Sequence, residues 1–80
     1  MFYGIIIRMF YDDHNPPHFH VIYENYSAMF NFNGNIIEGH IPTRQRKLIE
    51  AWTLLHKEEL IANWKLLEEN EQLFNIKPLI

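Results

Sequence analysis

Residues 18–41 read HFHVIYENYSAMFNFNGNIIEGHI, and this stretch decides the fold. It divides into three runs, HFHVIYE, YSAMFNF and NIIEGHI, punctuated by Glu24-Asn25 and Asn33-Gly34. Runs of β-branched and aromatic residues between turn signals are the mark of strands. Asn-Gly is the strongest short hairpin signal, because a type I′ turn needs two residues in the left-handed region. Taken as two-residue turns, the two dipeptides pair Tyr23 with Tyr26, Val21 with Ala28 and Phe19 with Phe30. They also pair Phe32 with Asn35, Phe30 with Ile37 and Ala28 with Gly39. Side chains alternate across a strand, so both hairpins give one apolar face: Phe19, Val21, Tyr23, Ala28, Phe30, Phe32, Ile37 and Ile41. The opposite face receives His18, His20, Ile22, Met29, Asn31, Glu38 and His40, in rows His20–Met29–Glu38 and Ile22–Ser27–His40. A one-residue slip at either turn would scramble this map.

Upstream, FYGIIIRMFY has strand composition over residues 2–11, and DDHNPP at 12–17 is a loop whose prolines fix φ and remove donors. Four strands, about 2–11, 18–24, 26–32 and 35–41, with connections this short form an antiparallel meander. Downstream of Thr43, which suits an N-cap, helix formers run without Gly or Pro until Pro78. Leu48-Ile49-x-x-Trp52-x-Leu54-Leu55 recurs as Leu60-Ile61-x-x-Trp64-x-Leu66-Leu67. An offset of twelve residues rotates a straight helix by about 120°, which would aim the two apolar stripes in different directions. The expectation is therefore two helices, about 43–56 and 57–71, broken near His56-Lys57 and laid on one sheet face, with a single long helix as the alternative. The tail, residues 72–80, has extended character and could dock as an edge strand. The predicted fold is one α+β domain spanning 1–80.

Eighty residues allow a thin core, and 15% aromatics compensate with bulky rings. With no cysteine, a disulfide framework and a Cys-based zinc site are excluded. The apolar start is broken by Arg8 and lacks a basic leader, so it reads as neither signal peptide nor membrane span; cytoplasmic placement and no membrane partner are the expectations. A net charge of −3 is not the footprint of a strongly basic nucleic-acid binder.

Functional chemistry concentrates in His14–His20, HNPPHFH. Three readings stand side by side. Imidazoles at His14, His18 and His20, with Asp12, Asp13 or Glu38 as carboxylate, are donors for a divalent transition metal such as zinc, iron, nickel or manganese. Without a metal, two of the histidines serve as general acid and base, while Arg8, Arg44 or Arg46 holds a phosphate; that combination would cleave RNA. In the third reading the segment is a Pro-Pro turn whose histidines and Asn15 bond to backbone and shape a binding edge. Arg44, Arg46 and Lys47 open a helix, where positive charge opposes the macrodipole and so favours use in binding an anion or acidic partner. Glu38 and His40 join the candidate binding set from the outer face, whereas His56 reads as a helix-end residue and Trp52 and Trp64 as core.

The chain resembles the small bacterial proteins grouped as domain of unknown function family 4160. The resemblance is carried by an acidic residue before H-x-P-P-H-x-H-V (Asp13, His14, Pro16, Pro17, His18, His20, Val21), by Gly39 and Pro42, and by W-x-x-L-H-x-x-E-L-x-x-N-W (Trp52, Leu55, His56, Glu59, Leu60, Asn63, Trp64). It implies a gene neighbour encoding another small domain, in an arrangement like a toxin–antitoxin pair. One member of such a pair is often a ribonuclease and the other its acidic inhibitor. The histidine segment favours the toxin side and the negative charge opposes RNA binding. The implied partner is a small cognate protein, with RNA as a further candidate.

Overall fold

The computed structural model describes residues 2–11 and 14–79. Its element order is β1 (Ile5–Arg8), β2 (His18–Tyr23), β3 (Tyr26–Asn31), β4 (Ile36–Gly39), α1 (Thr43–Leu55) and α2 (Lys57–Glu68). The strands form one antiparallel sheet in the order β1-β2-β3-β4, the meander that short connections impose. The β2–β3 register pairs Phe19 with Phe30, Val21 with Ala28 and Tyr23 with Tyr26, as the Glu24-Asn25 turn predicts.

The second hairpin corrects the sequence reading at its tip. A type I′ turn needs Asn33 and Gly34 both left-handed, but only Gly34, at φ +84°, is so. The Gly34 N–H donates to the Asn31 carbonyl at 3.1 Å, and the Asn31 N–H to the Asn35 carbonyl at 2.9 Å, which makes Phe32, Asn33 and Gly34 a three-residue loop. The Asn31 side chain drives this choice: its Oδ1 accepts from the backbone N–H of Asn33 (2.9 Å) and of Asn35 (3.0 Å). The longer loop slips the register by one, so Phe30 faces Ile36 rather than Ile37. A β-bulge between Met29 and Phe30 takes up the slip, and Met29 faces Glu38 and Ala28 faces Gly39 as expected. The predicted core residue Ile37 is accordingly 46% exposed, and Ile36 packs on the core in its place.

The core lies between the sheet and the two helices: Phe2, Ile5, Phe19, Val21, Ala28, Phe30, Phe32 and Ile41 meet Ile49, Trp52, Leu60, Trp64 and Leu67. Phe19 stacks on Phe30 and Phe32, with ring centroids 5.7 and 6.2 Å apart, and meets Trp52 edge-on at 5.7 Å. The helical repeat is used unequally. Ile49 is fully buried, whereas Ile61, its counterpart, is 52% exposed. The chain breaks at His56, whose N–H caps α1 on the Trp52 carbonyl at 3.0 Å and whose imidazole Nδ1 meets Glu59 Oε1 at 2.7 Å in α2. The long-helix alternative is thereby excluded, and each stripe gets its own axis.

Three further expectations change. The strand predicted over 2–11 shrinks to Ile5–Arg8, because Tyr3 (φ 50°) and Gly4 (φ 76°) form a tight turn closed by two Phe2–Ile5 backbone bonds of 2.7 and 3.1 Å. Thr43 is the first helical residue rather than the cap; Pro42 holds the N-cap position, and its carbonyl takes the Arg46 N–H at 2.9 Å. The described residues of the tail after α2 add no strand to the sheet; they run over the helices without regular structure, tucking Leu73, Ile76 and Leu79 against the core.

The end of α2 shows why the tail turns there. Asn70 is left-handed (φ 56°), its N–H bonds to the Leu67 carbonyl at 3.1 Å, and the Glu71 N–H to the Leu66 carbonyl at 2.8 Å, a Schellman cap. Because glycine takes this conformation without a Cβ penalty, Asn70→Gly is expected to be neutral to stabilising by up to about 0.5 kcal/mol, and Asn70→Val to cost about 1 kcal/mol or more. Thermal melts of the two variants check the ordering.

Candidate functional site

The strand β2 starts immediately after the Pro16-Pro17 pair, so the loop delivers His18 and His20 at the end of the sheet beside β1. The Asn15–Pro16 peptide is cis. His14, Asn15, Pro16, His18 and His20, with Met29 of β3 and Ile37 of β4, line a shallow open hollow of about 320 Å³. The three histidines picked out from the sequence thus share one depression, and its floor is apolar.

They are not equivalent. His14 stands exposed at the rim, His20 is half-buried, and His18 is only 5% exposed. The sequence map put His18 beside His20 on an open face; its ring does pack 5.1 Å from that of His20, but it is buried, 5.4 Å from that of Trp64 in the core. His18 Nδ1 lies 2.8 Å from the Pro16 carbonyl oxygen. A carbonyl only accepts, so Nδ1 carries the proton, and in the neutral ring the lone pair resides on Nε2. The backbone therefore sets both the tautomer and the orientation of this imidazole. Next to it, the Trp64 indole Nε1 is buried with no hydrogen-bond partner among the described residues.

His20 meets the Phe10 ring edge-on at 4.8 Å and faces Arg8 across the β1–β2 ladder. The register extends this row through Met29 to Glu38, so the open sheet face carries Arg8, His20, Met29 and Glu38 side by side on four strands. The row is cationic at one end and anionic at the other. His40 follows the end of β4, with its ring 5.6 Å from that of Tyr26. Arg44, Arg46 and Lys47 lie exposed on the first turns of α1 and do not line the hollow. Of the three arginines considered for a phosphate, Arg8 is the one that the fold brings beside the histidines.

Among the described residues, no three His, Cys, Asp or Glu side chains are placed to share a metal ion. Asp12 and Asp13, considered as carboxylate ligands, lie outside the described residues. The sequence reading missed Ile37 as a wall of the hollow and Phe10 as the ring against His20. Met29, by contrast, was available from the register, which puts it opposite His20. Ile37 was hidden because its outward turn depends on the bulge.

Fold and site together define a small α+β domain: a four-stranded meander backed by two helices, with a histidine hollow at one end of its uncovered face. The family model described as a domain of unknown function (DUF4160) matches residues 4–65, and the chain belongs to that family. Neither the curated proteins nor the solved structures contain a match to it. Among the described residues, no helix is long and apolar enough to cross a membrane.

Proposed function

We propose that the chain is the toxin-like member of a toxin–antitoxin pair, acting in the cytoplasm on RNA at the histidine hollow. The observation that supports this reading is the shared depression of His14, His18 and His20 with Arg8 opposite His20. In this reading His14 and His20, both reachable from solvent, act as the base that takes the 2′-hydroxyl proton and the acid that gives one to the leaving oxygen, the work for which a positioned imidazole is most often used. Arg8 offsets the charge on the phosphate, and His18 is a positioning residue held by the Pro16 carbonyl. The apolar floor of Met29 and Ile37 gives a base a surface to lie on. Net charge −3 keeps non-specific affinity for RNA low, so recognition must be local to this hollow.

A second reading rests on the same anchored imidazole. A histidine buried between Trp64 and His20 and bonded to backbone is also what a rigid, non-catalytic binding turn requires. A small cognate protein would then dock on the row Arg8–His20–Met29–Glu38.

Induction of the chain in a bacterium separates the two. The catalytic reading expects growth arrest with RNA cleavage, and His14→Gln or His20→Gln each lowering the cleavage rate by about 100-fold or more, the usual contribution of one acid or base. Both residues are solvent-reachable, so their variants should melt within a few degrees of the parent. Cleavage that persists at the parent rate in the His14→Gln, His20→Gln double variant removes the assigned site. If no RNA is cut but the same variants abolish co-purification of a small partner, the binding reading holds.

A further inference from the structure

The tail is read by side chains in a way that does not depend on its sequence. Asn63, a polar residue 5% exposed in the middle of α2, donates from Nδ2 to the Phe74 carbonyl at 2.9 Å and accepts at Oδ1 from the Phe74 N–H at 3.0 Å. One amide side chain thereby satisfies both polar groups of a single residue, as a neighbouring strand would. The Trp52 indole donates to the Lys77 carbonyl at 2.8 Å. Tyr11 Oη donates to the Glu71 carbonyl at 3.0 Å and accepts the Leu73 N–H at 3.3 Å. Every one of these bonds goes to backbone. Side-chain selectivity comes from Leu73, Ile76 and Leu79, which turn inward at every third position.

The seat is also incompletely filled. Between the tail and β1 lies a cavity of about 380 Å³ walled by Phe2, Ile5, Ile7, Met9 and Leu60, with Arg8 at its edge. Tyr11, Trp52, Leu60 and Asn63 fall within the family match at residues 4–65, whereas the segment they hold begins beyond it.

We infer that this groove is a binding site for an extended apolar peptide segment of a partner protein, and that residues 71–79 are a tethered place-holder in it. The ligand is defined by what the groove reads: extended backbone, an apolar residue at every third position, and a central side chain larger than Ile76 to occupy the cavity. This inference does not depend on the activity proposed for the histidine hollow: Arg8 borders both regions, but the test touches neither Arg8 nor the histidines. Because a short tether presents the tail at an effective concentration in the millimolar range, a free peptide competes only when the tail is weakened or the peptide fits better.

The test uses the full chain and a fluorescein-labelled synthetic peptide with the sequence of residues 70–79, read by anisotropy and by the Trp52 indole resonance. The double variant Ile76→Ser, Leu79→Ser weakens the tail and leaves the groove intact. It is expected to bind the peptide saturably and at least about tenfold more tightly than the parent chain does. A peptide carrying Ile76→Phe should bind more tightly again. A cooperatively folded double variant with no saturable binding overturns the inference. If that variant does not fold, the parent chain decides: millimolar Ile76→Phe peptide should speed hydrogen exchange at the Phe74 amide and leave Phe30 unchanged, and an unchanged Phe74 rate overturns the inference. A concentration-dependent dimer that exchanges tails assigns the groove to a second copy of this chain and overturns the partner assignment.

Discussion

Gly39→Ala is expected to leave little folded protein at 37 °C. Gly39 sits at φ +89°, where an L side chain is strained, and it pairs with Ala28 just beyond the bulge. A Cβ there would lie 2.4 Å from the Ser27 carbonyl oxygen and 2.7 Å from the Ala28 Cα. Both are backbone atoms of the central hairpin, so no rotamer change relieves the clash. Left-handed strain costs about 1–2 kcal/mol, and forced backbone displacement adds about 1–3 kcal/mol. Against the roughly 5 kcal/mol available to a small domain, that is most of the stability. A melting midpoint about 15 °C or more below the parent is the expected reading in a far-UV thermal scan. Gly34 supplies the internal control. Its added Cβ would meet Glu50 at 3.1–3.4 Å, partly through a flexible side chain, so Gly34→Ala should be the milder of the two. Equal or reversed midpoints would show that the β3–β4 pairing yields more readily than these distances imply.

Phe19→Ala should be comparably severe for a different reason. The Phe19 ring is fully buried and touches Phe30, Phe32 and Trp52, so it joins both hairpins to α1. Truncation removes the transfer free energy of the ring and leaves a cavity, together about 3–5 kcal/mol. The aromatic pair geometry contributes about 0.5–1.5 kcal/mol beyond area. Loss of the near-UV aromatic signal at 25 °C, with Phe19→Leu retaining a cooperative transition, is the expected pair of results. A Phe19→Ala chain that melts within 5 °C of the parent would mean that the neighbouring rings collapse into the space.

Much of this architecture was legible because its signals were local and mutually consistent. The Glu24-Asn25 turn fixed the β2–β3 register, and a repeat at an offset of twelve residues required two helix axes. What escaped the reading was decided by competition. At Asn33-Gly34 the preference for a two-residue turn lost to the Asn31 side chain, which bonds two backbone N–H groups of a longer loop. At Thr43 the cap preference lost to Pro42, whose fixed φ already suits a helix start. The tail reads as a strand from composition, yet Asn63, Trp52 and Tyr11 satisfy its backbone before a strand edge can. A buried asparagine amid Leu60, Trp64 and Leu67 was the one sequence signal for that groove. For the site, the clustering of histidines was visible, but the burial of His18 was not. It depends on Trp64, 46 positions away along the numbering of the chain, closing over the sheet end.

The bulge beside Ile37 carries one more implication, which concerns parity. The β3–β4 loop holds an odd number of residues and the strand beyond it one surplus residue, and two odd counts make an even one. Everything past the bulge, Glu38 and the sheet-face row to which it belongs, keeps the inside-outside phase of a hairpin with an even loop. The loop tip is thereby decoupled from the far half of the strand. A residue gained or lost at the exposed Asn33 can be absorbed at Ile37 without turning Glu38 inward, so the row beside the histidines stays in phase while Phe32 keeps its place in the core.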